Sequence, residues 1–419
     1  MAACLRLSSI VVPAGMHNFI CRPRRHFSAF SLLGPSSLRL ANIPFKDAHE
    51  GFCSGPWNMI EVDGSFGEGG GQILRTTLAL SAVLRKDVKV VNIRMGRPKP
   101  GLMAQHLTGV HAAAVLCDAE TTGEGVGSEE LVFKPGRIRA GKFRFDVGTA
   151  GSVTLVLQAL MPIMAFAPGR IELEITGGTD VKWSPPVDYL TLVELPVLER
   201  LGYRGILELL TRGHYPKGGG LIRFINEPSQ GLTPITSENA GRITRIEGVS
   251  HAVRLPQHIV QRQAESAVQV LVANGYPRPD IRLETPEDGI HLGPGSGIVL
   301  AARTDCQACL GADSLGDRGV SAERVGSDAA GRLVEDLKTS CFLDRHMADI
   351  IVPYLALAEG RSDVSIARVT KHVQTNLRVA EWVAGAKSQL KGELDQPGRI
   401  SLDGLGLKPE SLDAVSPIE

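Results

Sequence analysis

Residues 63–75 read DGSFGEGGGQILR, and the fold and the site both follow from how this stretch is interpreted. It holds five glycines in thirteen residues and runs directly into QILRTTLALSAVL, whose leucines recur at helical spacing. Glycine reaches positive φ and lets backbone approach a ligand, at an entropic cost that a strand or helix interior avoids. A glycine turn feeding a helix start offers free N–H groups and the positive end of the helix dipole to an anion. The one acid inside the turn, Glu68, and Arg75 one turn into the helix make this more than a flexible linker. A plain strand-to-helix turn without a ligand is the competing reading. Neither standard phosphate loop is present: no Lys-Ser/Thr follows the glycines, and their spacing is not that of a dinucleotide fingerprint.

At 419 residues the chain has room for two or three domains. With 43% hydrophobic residues, 47 glycines and 5% aromatics, it suits a turn-rich α/β or α+β protein. Forty-five basic residues against 45 acidic ones leave no net charge, so a nucleic-acid partner has to be met by a local patch. The seven cysteines are scattered and odd in number, which points to a reducing compartment. Cys306 and Cys309 form a lone C-x-x-C with no second pair and read as small core or turn residues. No apolar run reaches the roughly 18 to 20 residues of a membrane span. Residues 1–46 carry Arg6, Arg22, Arg24, Arg25 and Arg39, many serines and no acid before Asp47, the composition of a transit peptide for a mitochondrion or plastid. A disordered extension, or initiation at Met59, reads equally well, and then the protein is soluble and intracellular, nuclear or cytoplasmic. Residues 1–56 are set aside from the fold.

From Ile60 onward, β-branched strands alternate with helices. Val88–Arg94 reads as a strand ending in the basic loop GRPKPGL, and Ala104–Cys117 has helical spacing. Lys142–Val147 reads as a strand and is followed by GTAGSVTLVLQALMPIMAF, where a second glycine turn, Gly148 to Gly151, opens an apolar helix. Arg170–Thr176 alternates as a strand, Leu190–Leu201 as an amphipathic helix, and RGHYPKGGG brings a third glycine run. A strand, glycine turn and helix thus recur every roughly 60 to 80 residues, the mark of repeated β/α units within one larger domain. Composition shifts at Glu227–Gly241, rich in Pro, Ser, Gly and Asn. Beyond it comes a smaller α/β module, and helical patterning resumes at Ala322–Leu337 and His346–Ala358. The strand SIARVTKH then leads to a last helix from Thr375. The expected division is an extension over 1–56, a large domain over 57–236 and 341–405, an inserted α/β domain over 237–340, and a tail over 406–419.

Several residue groups can carry chemistry. Arg94, Arg97 and Lys99 lie close together before Gln105 and His106 at a helix start, and guanidinium forks with helix N–H groups bind phosphate. A solvated turn is the alternative. His372, in VTKHVQTN just before a helix, could be a base, a ligand, a core residue or a covalent nucleophile. His346 stands three residues before Asp349 and could orient a nucleotide, bind metal or cap a helix. Asp180, Pro185 and Pro186 occupy a strand-end loop, where α/β proteins dock ligands. The Gln158 amide lies in an apolar helix and needs a ligand, the Thr154 hydroxyl or backbone as partner. No zincin spacing and no G-x-S-x-G elbow is present.

Taken in order, DGSFGEGGGQILR (63–75), IRMGRPKPGLMAQHL (93–107), TAGSVTLVLQALMP (149–162), GGTDVKWSPPVDY (177–189), RGHYPKGGG (212–220), GPGSGI (293–298), HMAD (346–349) and HVQTN (372–376) resemble the RNA 3'-terminal phosphate cyclase family. The resemblance runs from about residue 59 to 385, and each piece is weak alone. It implies a large domain of repeated β/α units similar to the enolpyruvyl transferases, with a smaller insert. It also implies conversion of an RNA 3'-phosphate to a 2',3'-cyclic phosphate by ATP, releasing AMP and pyrophosphate, with His372 as the adenylylated nucleophile. By the same resemblance Gln158, Pro185 and His346, Met347, Ala348, Asp349 and Ile350 face the nucleotide. Glu68 holds a divalent metal, magnesium or manganese. Arg75, Arg94, Arg97, Gln105 and His106 face the RNA 3'-phosphate or orient phosphates. No membrane and no obligate protein partner is implied. Ile350 departs from the pattern, standing where the family commonly has glutamine. Three rivals are a non-catalytic cyclase-like ribosome-assembly factor, against which His372 in its HVQTN context argues, an enolpyruvyl transferase, and an RNA-binding module without chemistry.

Overall fold

Among the described residues the alternation of strand and helix patterns resolves into four four-stranded sheets. A computed structural model of the chain describes residues 59–286 and 289–409, so the N-terminal extension and most of the tail lie outside the described residues. The first unit is β1 (Ile60–Asp63), α1 (Gly71–Leu84), β2 (Val88–Val91), α2 (Ala104–Cys117), β3 (Glu120–Thr122) and β4 (Leu131–Lys134). Strands β1 and β2 run parallel, which requires a crossover, and α1 supplies it. The hairpin β3–β4 then adds to β2 antiparallel, giving the order β1-β2-β4-β3.

The second unit repeats this path. It comprises β5 (Gly141–Asp146), α3 (Val153–Met164), β6 (Ile171–Gly177), α4 (Val187–Tyr189), a wide helical turn at Leu190–Glu194, α5 (Leu195–Glu199), β7 (Arg204–Thr211) and β8 (Gly220–Glu227). Its order is β5-β6-β8-β7, again with one parallel pair. The strand period is visible in β6, where Ile171, Leu173 and Ile175 are buried while Glu172 and Glu174 meet Arg223 on the outer face.

The third unit is interrupted. Its first strand, β9 (Thr236–Ser237), is followed by β10 (Ile243–Val253), α6 (His258–Ala273), β11 (Asp280–Glu284), β12 (Gly295–Thr304), β13 (Cys309–Leu315) and α7 (Ala322–Lys338). Those elements make a sheet of their own, in the order β11-β10-β12-β13. The chain then continues through α8 (Met347–Ile350), α9 (Val352–Leu357), β14 (Glu359–Ile366), α10 (Lys371–Val379), a wide turn at Ala380–Ala384, β15 (Lys387–Lys391) and β16 (Gly398–Leu405). Strand β14 pairs parallel with β9, and the order β9-β14-β16-β15 matches the first two units.

Helix α1 joins the units. Ile73, Leu74, Leu78, Leu80 and Val83 are all within 2% of complete burial, around nearly the whole helix, so α1 is central rather than half-solvated. It packs on α2 of its own unit, α3 of the second and α10 of the third. Each large aliphatic side chain so buried contributes about 1.5–3 kcal/mol. The glycine turn preceding α1 is thereby placed where all three units converge.

Several boundaries differ from expectation, among them the strand read over Ser365–His372, which belongs to β14 (Glu359–Ile366) and stops at Ile366. The strand from Val88 stops at Val91, because Asn92 and Arg94 take φ of 53° and 56°, the left-handed region of a turn. The helix expected over Leu190–Leu201 begins at Val187 and ends at Glu199. The last helix starts at Lys371, not at Thr375, because the Thr370 hydroxyl accepts from the Val373 N–H as its N-cap. His372 therefore lies within the first turn of α10 rather than ahead of the helix. Among the described residues, no helix is long and apolar enough to cross a membrane.

Candidate active site

Asp63 closes the turn after β1, its Oδ1 accepting from the Ser65 N–H and hydroxyl and from Asn92. Gly67 has φ of 61° and its Cα faces the Thr375 hydroxyl, so any side chain there would overlap it. The same hydroxyl accepts from the Glu68 N–H at 3.3 Å, tying the turn to α10. At the start of α1 the N-cap is Gly70, which has no side chain to satisfy the first N–H groups.

Around this turn the structure gathers most of the expected site. Glu68 is ion-paired through Oε1 with Arg97, and its Oε2 lies 3.7 Å from His372 Nδ1. That nitrogen is buried and has no hydrogen-bond partner among the described residues, although the side chain as a whole is 39% exposed. The ring's outer nitrogen, Nε2, is therefore the one open to a ligand. Burial, helped by the Arg75 and Arg97 cations, pushes the imidazole pKa down to about 4 and keeps it neutral near pH 7.

Arg75 sits at the centre. It lines one narrow cleft, with a cavity of about 10 Å³, together with Gln105 and His106, and an adjoining one of about 20 Å³ with Gln72, Gln158, Asp349, Ile350 and Asn376; each has room for about one water. Burial lowers its pKa to about 10, with Glu194 opposing the shift. His106 Nδ1 accepts from the Met103 N–H at 3.2 Å, which leaves Nε2 as the protonated nitrogen of a neutral ring beside Gly71. Burial and the Arg75 and Arg94 cations push that ring down to about 3. Gln105 Oε1 accepts from Ser152 N–H at 3.0 Å and so links α2 to the start of α3. Arg94 braces its own loop, donating to the Gly101 carbonyl at 2.7 Å.

On the nucleotide side the picture is mixed. The Gln158 amide donates to Glu194 Oε2 at 2.9 Å, a partner outside the three that sequence suggested. The Thr154 hydroxyl is used elsewhere, donating to the Pro185 carbonyl at 2.7 Å and so fixing the Pro185 loop on α3. Burial raises Glu194 to about 7, and its Oε1 has no partner among the described residues. Asp349 and Ile350 line the cleft, whereas Met347 and Ala348 are wholly buried and His346 packs edge-on against Tyr189, centroids 6.0 Å apart. Asp344 holds this segment in place by accepting from Tyr189 and from the N–H groups of Gly311, His346 and Met347.

Residues absent from the expected list complete the site. The Thr370 hydroxyl donates to Asp349 Oδ1, and the Asp349 carbonyl accepts from Asn376 Nδ2 at 2.6 Å and from Gln72 Nε2 at 3.4 Å. Thr76 on α1 donates to Asn376 Oδ1 at 2.9 Å. Burial pushes the Asp349 carboxyl up to about 8, so it is largely protonated at neutral pH. These bonds lock the first turn of α10, and with it His372, against α1 and α8. Thr375 and Asn376 were legible as part of HVQTN. The signal for Glu194 was a single acid on an otherwise apolar helical face.

The arrangement offers a neutral imidazole, an uncapped helix start and a guanidinium lining the cleft, a set suited to attack on a phosphate ester or anhydride. A family model described as RNA 3'-terminal phosphate cyclase matches residues 66–390. A protein of Ignicoccus hospitalis named RNA 3'-terminal phosphate cyclase is 51% identical over 350 residues, covering 83% of this chain and 99% of its own. Proteins of the same name from Methanopyrus kandleri and Pyrococcus abyssi are 47% and 48% identical, each covering 82% of this chain and 99% and 98% of their own. On the matched site segments and on this coverage, the chain belongs to the RNA 3'-terminal phosphate cyclase family.

Proposed function

We propose that this protein uses ATP to convert an RNA 3'-terminal phosphate into a 2',3'-cyclic phosphodiester through a covalent adenylyl-histidine at His372. The observation that carries the reading is the His372 ring: neutral, half-exposed, with its buried Nδ1 turned to Glu68 in the glycine turn that leads into the uncapped α1. The names of the relatives support the substrate class.

In the first step His372 Nε2 attacks the α-phosphorus of ATP, forming a P–N bond as the α–β P–O bond breaks and pyrophosphate leaves. The Nδ1–H faces Glu68, whose negative charge favours the cationic ring that results. In the second step an oxygen of the RNA 3'-phosphate attacks the same phosphorus, and the P–N bond breaks to regenerate the imidazole. In the third step the neighbouring 2'-OH attacks the 3'-phosphorus, loses its proton, and AMP departs. Only RNA carries that hydroxyl. Arg75 bridges the two clefts and would hold phosphate oxygens in both half-reactions, with Gln105, His106, Arg94 and Arg97 on the RNA side. Gln158, Pro185, Asp349 and Ile350 would form the nucleotide side, with His346 and the buried Met347 and Ala348 holding that segment in place.

Glu68 fits a hard divalent cation: Oε2 is not taken by Arg97, and it packs where only a glycine at position 70 leaves room for it. Such an ion, magnesium or manganese, would supply charge neutralisation on the triphosphate. We also propose the division into a large domain over 57–236 and 341–405 and an insert over 237–340.

Incubation with ATP labelled at the α-phosphate tests the reading. We expect a protein-bound label that survives base and is lost in acid, and its complete loss in His372→Ala. A wild-type protein that takes no label, or a mutant that labels as strongly, returns the chain to a binding role within the family.

A further inference from the structure

Away from the clefts, three buried side chains from distant parts of the sequence meet where the second sheet faces the sheet of β10–β13. Asp180 follows β6, His214 lies in the turn between β7 and β8, and His251 is on β10. His214 Nε2 and His251 Nε2 are 3.1 Å apart. Asp180 Oδ2 is 4.0 Å from the first and Oδ1 3.9 Å from the second. None of the three side chains is more than 6% exposed, and none lines the clefts at Arg75.

The two rings meet through their Nε2 atoms, so both ligand nitrogens already face one point, and both Nδ1 atoms are buried without a hydrogen-bond partner among the described residues. Charge is also unbalanced. Arg212, 2% exposed, faces Asp180, Asp188 and Glu284. Among the described residues Glu284 has a second guanidinium, Arg282 at 2.7 Å. Three carboxylates against two guanidinium groups leave the cluster one positive charge short unless one of the two imidazoles, or Asp188, whose carboxyl burial raises to about 6, takes a proton.

We propose that Asp180, His214 and His251 form a site for one divalent transition metal of the zinc class, separate from the cation of the reaction. Two nitrogens at this spacing subtend about 100° at an ion placed 2.0–2.1 Å from each, near the tetrahedral value. A small turn of the Asp180 side chain brings an oxygen to the third position, since ligand atoms around such an ion lie about 3.3 Å apart. Two imidazoles and a carboxylate select zinc, cobalt, nickel or iron over magnesium. The Thr179 hydroxyl, donating to Asp180 Oδ2 at 2.7 Å, orients the carboxylate as an outer-shell partner. With the metal bound, both rings carry their proton on Nδ1, so the rest of the outer shell falls on Asp180 through Thr179 and Arg212. The ion would pin the loop after β6 and the β7–β8 turn to β10, fixing one sheet against the other. Because the ligands are closed off from solvent, loading accompanies folding.

The test uses the full chain, produced with zinc in defined medium, freed of loose metal by dialysis against EDTA, and analysed for elements. We expect about one zinc per chain, at least tenfold less in His251→Asn and His214→Asn, and no loss in Glu68→Gln. Production with cobalt should give visible ligand-field absorption that disappears in the same two variants. Folded wild-type protein holding less than about one metal per ten chains, or full occupancy in His251→Asn, overturns the proposal. Should both variants fail to fold, X-ray absorption on the wild-type zinc decides: two imidazoles with oxygen uphold the site, and a sulfur shell or a single imidazole sinks it.

Discussion

Two glycine-rich turns stand at the same place in the first two units, each carrying a sheet strand into its crossover helix. Before α3, the Ser152 hydroxyl accepts from the Leu155 N–H at 3.1 Å, and the Ser152 N–H is itself taken by Gln105. Before α1, Gly70 offers no such cap, and the space beside it is filled by Glu68 and Arg97. The repeat builds the same junction twice, and one hydroxyl closes the second copy to anions. The first copy has no such cap, and His372 arrives there from the third unit. A repeated fold thus supplies equivalent positions, while capping chemistry decides which of them can bind.

The strongest way to break this comparison is to add a side chain to one left-handed glycine of each turn. Gly67→Val forces a branched side chain into φ of 61° and onto the Thr375 hydroxyl, and shifting α10 by a fraction of an ångström should slow adenylyl labelling by about 10²-fold. Gly148→Ala meets open space at φ of 69° and should cost only about 1 kcal/mol of stability. Labelling unchanged by the first substitution, or equally slowed by the second, would mean that the two turns do not differ in role.

Acidity sharpens the contrast next. The buried setting and the cations at the first turn hold His372 near 4, so its neutral form persists well below the 6.5 of an ordinary histidine. At pH 5.5 the labelling rate should remain close to its neutral value, where an unperturbed ring would have lost about tenfold. A fall-off centred at 6.5 in a pH–rate profile would show that the surroundings of the ring are not as described.

The smallest effect belongs to the closed copy. Ser152→Ala removes the cap of α3, which should cost about 1 kcal/mol and lower the melting temperature by about 2 °C. The labelling rate should hold. Lost labelling at unchanged stability would place Ser152 in the site.

What could be read in advance was local. The bounds of α2 match the helical spacing from Ala104 to Cys117, and β6 alternates as its sequence does. The segments that gather at the site are short and carry their own chemistry, so DGSFGEGGGQILR and HVQTN announced themselves. Pairings across the fold did not. Gln158 finds Glu194 on another helix, and Thr370 looked like the end of a β-branched strand when it is the cap of α10. Asp180, His214 and His251 share no spacing rule, because three separate elements bring them together. The third unit was hidden for a related reason: the elements from β10 to α7 separate its first strand from the rest of it.

That separation has a bearing on how the chain is made. The two residues of β9 pair with Asp363 and Val364, more than a hundred positions downstream. During synthesis from the N-terminus, the first and second sheets can close while β9 still waits for a neighbour. Gathering that long connection into a folded sheet of its own brings its ends close, which shortens the loop that must be closed and lowers its entropic cost. Because α10 belongs to this late-finished unit, the histidine reaches its glycine turn last, and a half-made chain carries no active centre.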